Sequence, residues 1–400
     1  MSVTIEGARL LTPGGLEDAP LTFADGVIVD GPGEKRIDAR GLILAPALID
    51  LHGDAFERQV SPRPGVFAPL DVAVLDTDRQ LAANGIATAY HALTLGWEPG
   101  LRSVDRGREF VTALDRLRPR LAVENRVQLR WETFAFEAEA LIREALAGPL
   151  TPSLAFNDHT SMAMRAFGTP IQERGFELSP DFGTASLGDE RLKQRTSKNA
   201  RRSGLSDDDY VALLGRVWER RGEVPGKIAA LAEAAQAVGA PMLSHDDTTA
   251  ETRAWFRGHG AAVAEFPMVL EAARAAREGG DAIVMGAPNV MRGGSHIGSL
   301  GAADMVEAGM CDALASDYFY PSLLAAVARL HGERRAPLPN LWRLVSAGPA
   351  RAMGLGDRGT LEEGQRADLV LLDWPEGGVP TVRGLWVEGR PALRIETRGG

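Results

Sequence analysis

Residues 42–54, LILAPALIDLHGD, form an apolar run that ends in an imidazole and a carboxylate, His52 and Asp54. A run of this kind, interrupted by proline and closed by glycine, is typical of a strand buried on both faces. Because residues i and i+2 of a strand point to the same side, both polar side chains can face one point beyond its end. A neutral nitrogen together with a hard oxygen suits a divalent metal such as Zn or Mn. The stretch therefore predicts the first strand of a metal-binding fold, provided that the rest of the chain supplies further ligands.

The chain after this stretch alternates between strand patterns and helix patterns. Apolar strand segments recur at 85–93, 126–134, 152–159, 240–247, 261–267, 281–289 and 311–318, and helical segments lie between them at 104–117, 136–147, 206–238, 249–258, 267–278 and 301–309. Eight strands separated by helices predict an α/β fold of the parallel (β/α)8 TIM-type barrel class. Residues 160–205 are the one long connection without a clear pattern, and we expect an irregular active-site loop or lid there.

The two ends of the chain have a different pattern from the middle. Short segments of alternating polarity, such as VTIEGARLL (3–11) and ADLVLLD (367–373), are broken by Gly and Pro. Such segments predict strands of a small sheet. We expect a small β-sandwich domain built from residues 1–43 and 355–400, with the barrel occupying residues 44–354.

Composition narrows the class of function. The chain has 400 residues, of which 44% are hydrophobic and 24% charged, which is ordinary for a soluble globular protein. A formal net charge of -10 argues against nucleic-acid binding, which needs a basic face. A small anionic substrate stays compatible, because metals and local arginines reverse the potential inside a cleft. Cys311 is the single cysteine, and the sequence shows no signal-peptide pattern, so we expect a cytoplasmic protein. No apolar run reaches about 18 residues, so we expect no membrane span. A homo-oligomer is compatible with the sequence.

Acidic and imidazole side chains stand at the ends of many predicted strands. The C-terminal ends of barrel strands carry the chemistry in this class of fold, and buried charges are costly unless they are paired or bind a metal. The joint pattern predicts one or two divalent cations, Zn or Mn, held by His52, Asp54, Glu132, His159, His245 and Asp317.

The positions of these six residues predict different roles within the site. Glu132 would bridge two cations, with His52 and Asp54 on one of them and His159 and His245 on the other. Two metals about 4 Å apart would lower the pKa of a bridging water and polarise the bond under attack. Asp317, which ends the last strand, is placed to take the proton of that water as the catalytic base. We expect His91, Asp246 and Asp247 to orient ligands by hydrogen bonds. For His91, this role or a packed core position is favoured over direct metal ligation.

Substrate contacts are predicted mainly in the loop GAPNVMRGGSHIGS (286–299), after the seventh strand. Loops near the last strands of a barrel commonly bind phosphate, although a glycine pair alone indicates only a turn. The basic run at 191–202 is either a solvated loop or a mobile cover over a polyanionic substrate. Arg63 suits an oxyanion or a structural ion pair equally well. The substrate-binding candidates are Arg63, Asn289, Arg292, Ser295, His296 and Tyr318.

The HxD at 52–54, the divided β domain and GTLEEGQRADLVLLD (359–373) resemble the amidohydrolase superfamily. Within it, the chain is similar to the PhnM-type diphosphatases of phosphonate catabolism, through IDLHGDAFERQVSPRPGV (49–66), QLRWE (128–132), NDHT (157–160), LSHDDTT (243–249), MGAPNVMRGGSHIGS (285–299) and ASDYFYPSLLAA (315–326). The resemblance implies hydrolysis of alpha-D-ribose 1-methylphosphonate 5-triphosphate to the 5-phosphate and pyrophosphate. It places metal-site roles on the same six residues as the strand ends do.

The sequence also departs from the pattern of that family. Residues 160–165 read TSMAMR where the family usually has a Pro-Gly-Gln stretch, and residues 52–57 read HGDAFE where it usually reads more like HTDNLE. These changes keep the metal framework but alter the residues that would face the substrate. The alternative function is therefore a C–N hydrolase acting on an amide, cyclic amide or amidine. A non-catalytic metal-binding sensor is a third hypothesis, but it has no need of Asp317.

Overall fold

Strands and helices alternate through the middle of the chain, and strands dominate its two ends. The computed structural model describes residues 2–63, 65–294 and 298–396. Its strands are β1 (Ser2–Glu6), β2 (Arg9–Thr12), β3 (Gly15–Asp18), β4 (Leu21–Ala24), β5 (Val27–Val29), β6 (Lys35–Asp38), β7 (Ile43–Pro46), β8 (Leu48–Gly53), β9 (Ile86–Leu95), β10 (Glu124–Glu132), β11 (Ser153–Asn157), β12 (Met242–His245), β13 (Val263–Glu265), β14 (Ala282–Gly286), β15 (Ala313–Ala315), β16 (Leu369–Asp373), β17 (Thr381–Val387) and β18 (Arg390–Arg394).

The α-helices are α1 (Glu57–Val60), α2 (Leu70–Ala83), α3 (Val104–Leu117), α4 (Glu139–Leu146), α5 (His159–Met164), α6 (Glu190–Ser203), α7 (Asp207–Trp218), α8 (Val224–Ala237), α9 (Ala250–Gly258), α10 (Leu270–Glu278), α11 (Ala287–Arg292), α12 (Ala302–Glu307), α13 (Ser322–Gly332), α14 (Leu338–Arg343) and α15 (Ala347–Ala352). Short 3-10 turns lie at Arg118–Arg120, Phe136–Ala138, Ile171–Glu173 and Glu219–Glu223. Among the described residues, no helix has the length and apolar character that a membrane crossing requires.

The strands β8 to β15 form one parallel sheet in which each strand pairs with the next one along the chain. Beyond β15, the Asp317 backbone N–H donates to the His52 carbonyl, and the Asp54 N–H donates to the Asp317 carbonyl, both at 2.9 Å. These bonds connect the two edges of the sheet and close it into a ring. The predicted (β/α)8 TIM-type barrel is thereby confirmed, and the C-terminal ends of its strands share one rim.

Both ends of the chain contribute to a separate β region. A six-stranded sheet has the order β18-β17-β16-β7-β2-β3, and a four-stranded sheet has the order β5-β4-β1-β6. Side chains from the two sheets, among them Ile5, Phe23, Leu44, Leu369 and Trp386, form one hydrophobic cluster. The prediction of a β-sandwich built from both termini is confirmed. The boundaries at residues 43/44 and 354/355 stay a prediction.

Two local predictions were wrong. The connection 160–205 is not irregular throughout, because it contains the 14-residue helix α6, capped by the Asp189 side chain and by Gly204 at a φ of +70°. The buried positions of α6 are Leu192, Thr196, Ala200 and Ser203, so its apolar stripe holds one large side chain and gave little periodic signal. Residues 287–289 were predicted as strand, but β14 ends at Gly286 and α11 begins at Ala287 with a proline in its first turn.

Glu124, at the start of β10, connects the barrel to the segment that precedes β16. Its carboxylate lies 3.0 Å from the Arg358 guanidinium and 2.5 Å from that of Arg126, and it also pairs with Arg366. The Glu124 side chain is only 15% exposed. Burial raises the pKa of Glu124, but the three guanidinium groups outweigh it and lower the pKa to about 2. The ion cluster thus fastens the strand to the terminal sheet region.

We expect Glu124→Gln to lower the free energy of unfolding at pH 7 by about 2 kcal/mol, because it removes the carboxylate that three guanidinium groups share, although Arg366 keeps Asp368 and Arg358 keeps Asp357. The contribution of Glu124 is fully present above its unfolded-state pKa and is lost as the pH falls through about 2. Urea unfolding of both proteins should therefore show their difference shrinking on acidification. Glu6→Gln, which breaks an exposed pair with Arg36, is the control, with an expected loss below about 0.5 kcal/mol. Equal losses in the two variants would contradict the prediction.

Candidate active site

Side chains from the ends of three barrel strands meet at the rim: His52 of β8, His245 of β12 and Glu265 of β13. The Glu265 carboxylate reaches the Nδ1 atoms of both histidines, at 2.9 Å from His52 and 2.8 Å from His245. Gln128 Nε2 donates a hydrogen bond to Glu265 Oε1 at 2.9 Å. The two imidazole rings are stacked, with their centroids 5.5 Å apart. The shared carboxylate therefore fixes both rings and leaves their Nε2 atoms facing away from it.

The charges of this cluster are set by burial and by the shared carboxylate. Burial opposes a charge on His52, but Glu265 outweighs it and raises the pKa of His52 above its ordinary value. For His245, burial dominates and the pKa is lowered. Burial would raise the pKa of Glu265, yet the two histidines hold it well below its usual range. Glu265 is thus the ionised anchor of the cluster.

The donors around His52 fit a divalent cation. His52, Asp54 and Asp317 each offer a ligand atom within 4.8 Å of the others, and His52, His245 and Glu265 form a second such group. His52 Nε2 is buried and has no hydrogen-bond partner among the described residues. A buried nitrogen without a partner is costly, and one imidazole with two carboxylates suits Zn or Mn. The structure therefore brings the ends of the first and last barrel strands together, and metal binding by these residues stays a prediction.

Asp317 has an unusual backbone and an unusual acidity. Its φ is +54°, in the left-handed region. This conformation is stabilised by two main-chain hydrogen bonds, one from the Asp317 N–H to the His52 carbonyl and one from the Asp54 N–H to the Asp317 carbonyl. Burial and then the neighbouring Asp54 carboxylate raise the pKa of Asp317 to about 6. A carboxylate of this acidity is a suitable proton acceptor near neutral pH.

Glu132 and His159 form a second pair on the same rim. His159 Nδ1 lies 2.5 Å from Glu132 Oε1, and the His159 backbone N–H donates to Glu132 Oε2 at 3.1 Å. Burial raises the pKa of Glu132, but His159 outweighs it and the pKa falls to about 2. The His159 ring centroid is 6.3 Å from that of His245. All six predicted ligands therefore surround one mouth, although Glu132 pairs with His159 here.

Arg130 was not among the predicted site residues. Its guanidinium lies 3.0 Å from His245 Nε2 and 3.6 Å from the Asp54 carboxylate, and it donates to Asn157 Oδ1 at 2.9 Å. It thus stands between ligands that were assigned to different cations. A sequence signal for Arg130 was available, because QLRWE (128–132) alternates polar and apolar residues. Leu129 and Trp131 pack in the core that includes residues of α3 and α4, so Arg130 between them lies on the opposite face of the strand. Glu265 lies within the predicted strand 261–267, but nothing local in the sequence shows that it contacts two histidines.

His91 does not face the cluster. Its Nε2 pairs with Asn125 Oδ1 at 2.8 Å, and its ring packs edge-on against Phe56 and against Phe110 of α3. Burial lowers the pKa of His91 to about 4, so the ring is neutral at pH 7. These contacts correspond to the packed core position and give no support to a ligand-orienting role.

The two acids after His245 differ from each other. Asp246, at a φ of +60°, has its carboxylate 3.5 Å from His245 Nε2 and lines a cavity together with Asp317. Asp247 is buried behind the rim, where Ser244 Oγ donates to it at 2.5 Å and Arg253 lies 3.4 Å away. Only Asp246 is placed to act on a predicted ligand.

The predicted substrate contacts are divided among several places. A cavity of about 140 Å³ beside Asp317 is lined by Asn289 and Arg292, whose role in binding substrate stays a prediction. The Asn289 side chain donates to the Leu300 carbonyl and accepts from the Ala302 N–H, so it also fastens the loop before α12. Arg63 is exposed in the turn after α1, and Tyr318 is 38% exposed. Ser295 and His296 lie outside the described residues.

A second cavity, of about 250 Å³, opens beside Glu132 and His159. Its far wall is formed by α5, α6 and Tyr210 of α7. The basic run at 191–202 is thus largely a helix whose residues Arg195 and Arg202 line a cavity next to the cluster, rather than a solvated loop.

Residues 65–392 match the family model described as "Amidohydrolase family". The chain is 32% identical over 342 residues to the alpha-D-ribose 1-methylphosphonate 5-triphosphate diphosphatase of Escherichia coli (strain K12), an alignment that covers 84% of this chain and 85% of that protein. Its fold is similar to that of molinate hydrolase, with a TM-score of 0.61 at 15% identity and coverages of 98% and 94%. An adenosine deaminase from Xanthomonas campestris with bound Zn has a TM-score of 0.62 at 14% identity, with coverages of 98% and 93%. These two structural likenesses concern the fold alone.

Proposed function

This chain belongs to the amidohydrolase family and is a hydrolase of the PhnM type, and we propose that it is a divalent-metal-dependent diphosphatase. The specific candidate reaction converts alpha-D-ribose 1-methylphosphonate 5-triphosphate to the 5-phosphate and pyrophosphate. The observation that carries this proposal is the similarity to the Escherichia coli diphosphatase over most of both chains. The group formed by His52, Asp54 and Asp317 supplies the donor set that such a reaction needs.

We propose that one or two cations are held by the six predicted ligands, His52, Asp54, Glu132, His159, His245 and Asp317. Zn is the first candidate and Mn the alternative, and metal analysis of the purified protein measures identity and number. A cation bound there supplies Lewis-acid polarisation of a phosphoryl oxygen and acidifies the attacking water. A cytoplasmic location, proposed from the single cysteine, accompanies this assignment.

The protein's own residues complete the reaction. Asp317 accepts a proton from the attacking water at a carboxylate oxygen. The water oxygen bonds to the phosphorus nearest the sugar, while the P–O bond between that phosphorus and the leaving pyrophosphate breaks. Arg292, on the wall of the cavity beside Asp317, brings positive charge towards the pyrophosphate that leaves. Glu265 keeps His52 and His245 oriented throughout, since it contacts both rings.

A C–N hydrolase is the second candidate, and one observation favours it. The residues that depart from the family pattern, among them Thr160, Met162 and Arg165, line the cavity beside Glu132 and His159. A changed wall at this position is compatible with a different substrate, such as an amide, cyclic amide or amidine.

Product analysis separates the two functions. We expect the metal-loaded protein to release pyrophosphate from sugar triphosphates, detected through a coupled pyrophosphatase assay, and to release no ammonia or carboxylate from a panel of amides and amidines. The apoprotein, prepared by chelation, serves as the control and should be inactive until Zn or Mn is restored. Ammonia or carboxylate release without pyrophosphate would reject the diphosphatase proposal.

A further inference from the structure

The cavity beside Glu132 and His159 carries a charge pattern that the proposed reaction does not use. It lies between the barrel rim and the helices α5 and α6, and four arginines line it: Arg102, Arg165, Arg195 and Arg202. Two of them are compensated by carboxylates. Arg102 pairs with Glu57 at 2.8 Å, and Arg202 pairs with Glu98 at 2.6 Å.

The other two arginines have main-chain partners. Arg165 donates from Nε to the Thr169 carbonyl at 3.0 Å and from Nη1 to the Met162 carbonyl at 2.5 Å. Arg195 donates from Nη1 to the carbonyls of Ala163, at 2.9 Å, and of Arg165, at 2.5 Å. Among the described residues, neither guanidinium has a carboxylate within ion-pair distance. Both side chains are half-buried, so their charges are only partly screened by solvent.

The arrangement of these two cations is set by their surroundings. Burial lowers the pKa of both groups, and the Arg195 guanidinium lowers that of Arg165 further. Arg195 also lies over the Phe167 ring, 4.4 Å from its centroid, which holds the guanidinium in place. The cavity wall therefore carries two positive charges that an anion would offset.

The carboxylates of the cavity do not offset this charge. Glu98 is engaged by Arg202 and by the Tyr210 hydroxyl, and Glu132 is engaged by His159. Asp189, which acts on Arg195 from outside the cavity, is bonded to Arg191 at 2.6 Å. A preorganised pair of guanidinium groups is well suited to the tetrahedral oxyanion of a phosphate.

We propose that this cavity binds a phosphate-like dianion of the substrate through Arg165 and Arg195, at a subsite separate from the bond that is cleaved. The identity of the whole substrate rests on the proposed function, but the anion subsite does not. Its location beside Glu132 and His159 places such a group next to the metal cluster. The substitution of the family's usual stretch at 160–165 then has a physical meaning, since it supplies one of the two cations.

The subsite is tested by titrating the metal-loaded protein with inorganic phosphate and measuring the binding by isothermal calorimetry. We expect Arg195→Gln and Arg165→Gln each to weaken phosphate binding by about tenfold, because each removes a charge-assisted hydrogen-bond donor. Arg201→Gln removes the same charge from an exposed position of α6, where its Nη1 contacts Ser197, and should leave the affinity unchanged. Arg195→Lys, which keeps the charge but loses the planar guanidinium, should bind phosphate more tightly than Arg195→Gln, and this difference guards against a folding defect in the neutral variant.

The absence of phosphate binding would overturn the subsite. Phosphate binding of equal strength in all the variants would overturn it as well, since it would show that phosphate binds at the metal cation alone. Equal weakening in Arg201→Gln would also overturn it, as a general charge effect. The proposed diphosphatase function is tested separately, by measuring pyrophosphate release. Arginine-dependent phosphate binding without pyrophosphate release keeps the subsite and rejects the diphosphatase, whereas pyrophosphate release with a KM unchanged in both neutral variants rejects the subsite alone.

Discussion

Asp317→Asn is expected to lower kcat/KM by about 1,000-fold, because the amide can neither accept the proton of the attacking water nor contribute a charge to the cation. The substitution is well matched to the backbone, since Asp317 has a φ of +54° and asparagine tolerates the left-handed region. Its N–H and carbonyl bonds to the end of β8 should therefore persist. Steady-state kinetics with the substrate found by product analysis measures the loss, and thermal unfolding verifies the fold.

The control lies at the opposite end of the same strand. Asp312 precedes β15, pairs with Arg277 at 2.9 Å and accepts from the Ile283 N–H, away from the rim. Asp312→Asn makes the same chemical change and should keep kcat/KM within about twofold, as expected for a residue outside the reaction. Full activity in Asp317→Asn would remove Asp317 from the mechanism.

Glu265→Gln is expected to weaken metal binding by about 10- to 100-fold, as is usual when the group that orients a ligating histidine is lost. The carboxylate contacts the Nδ1 atoms of His52 and His245, whereas a glutamine offers one acceptor and turns an amide N–H towards the other ring. One ring is then released from its orientation. Competition of the protein with a chelator of known affinity measures the change without any reference to turnover.

Asp247→Asn is the matched control for this prediction. Asp247 is a buried acid two residues beyond His245, but its contacts are with Ser244 and Arg253. We expect its loss to cost stability and to leave the metal affinity of the folded protein unchanged. A metal affinity that falls equally in both variants would show that Glu265 acts through packing rather than through the two histidines.

Much of the site was accessible from sequence because parallel barrel strands place their C-terminal ends at one rim. His52, Asp54, Glu132, His159, His245 and Asp317 each end a strand or lie within two residues of its end. For that reason strand assignment alone predicted their convergence. The same logic failed for His91, since β9 continues to Leu95 and His91 lies within the strand. Every residue of β9 is buried, so no alternation of polarity in the sequence shows which face points inward.

The amino-acid sequence by itself determined the barrel, the divided β-sandwich and the set of strand ends that carry imidazole and carboxylate groups, because periodicity and turn residues are local properties. Only the tertiary structure decided which of these groups touch. Glu265 contacts two histidines, Arg130 lies between Asp54 and His245, and Arg195 of α6 lines a cavity beside His159. These pairings depend on the register and closure of the sheet, which bring together residues that are far apart along the chain. A local pattern such as the alternation in QLRWE can show the face on which a side chain lies, but it does not show which residue that side chain meets.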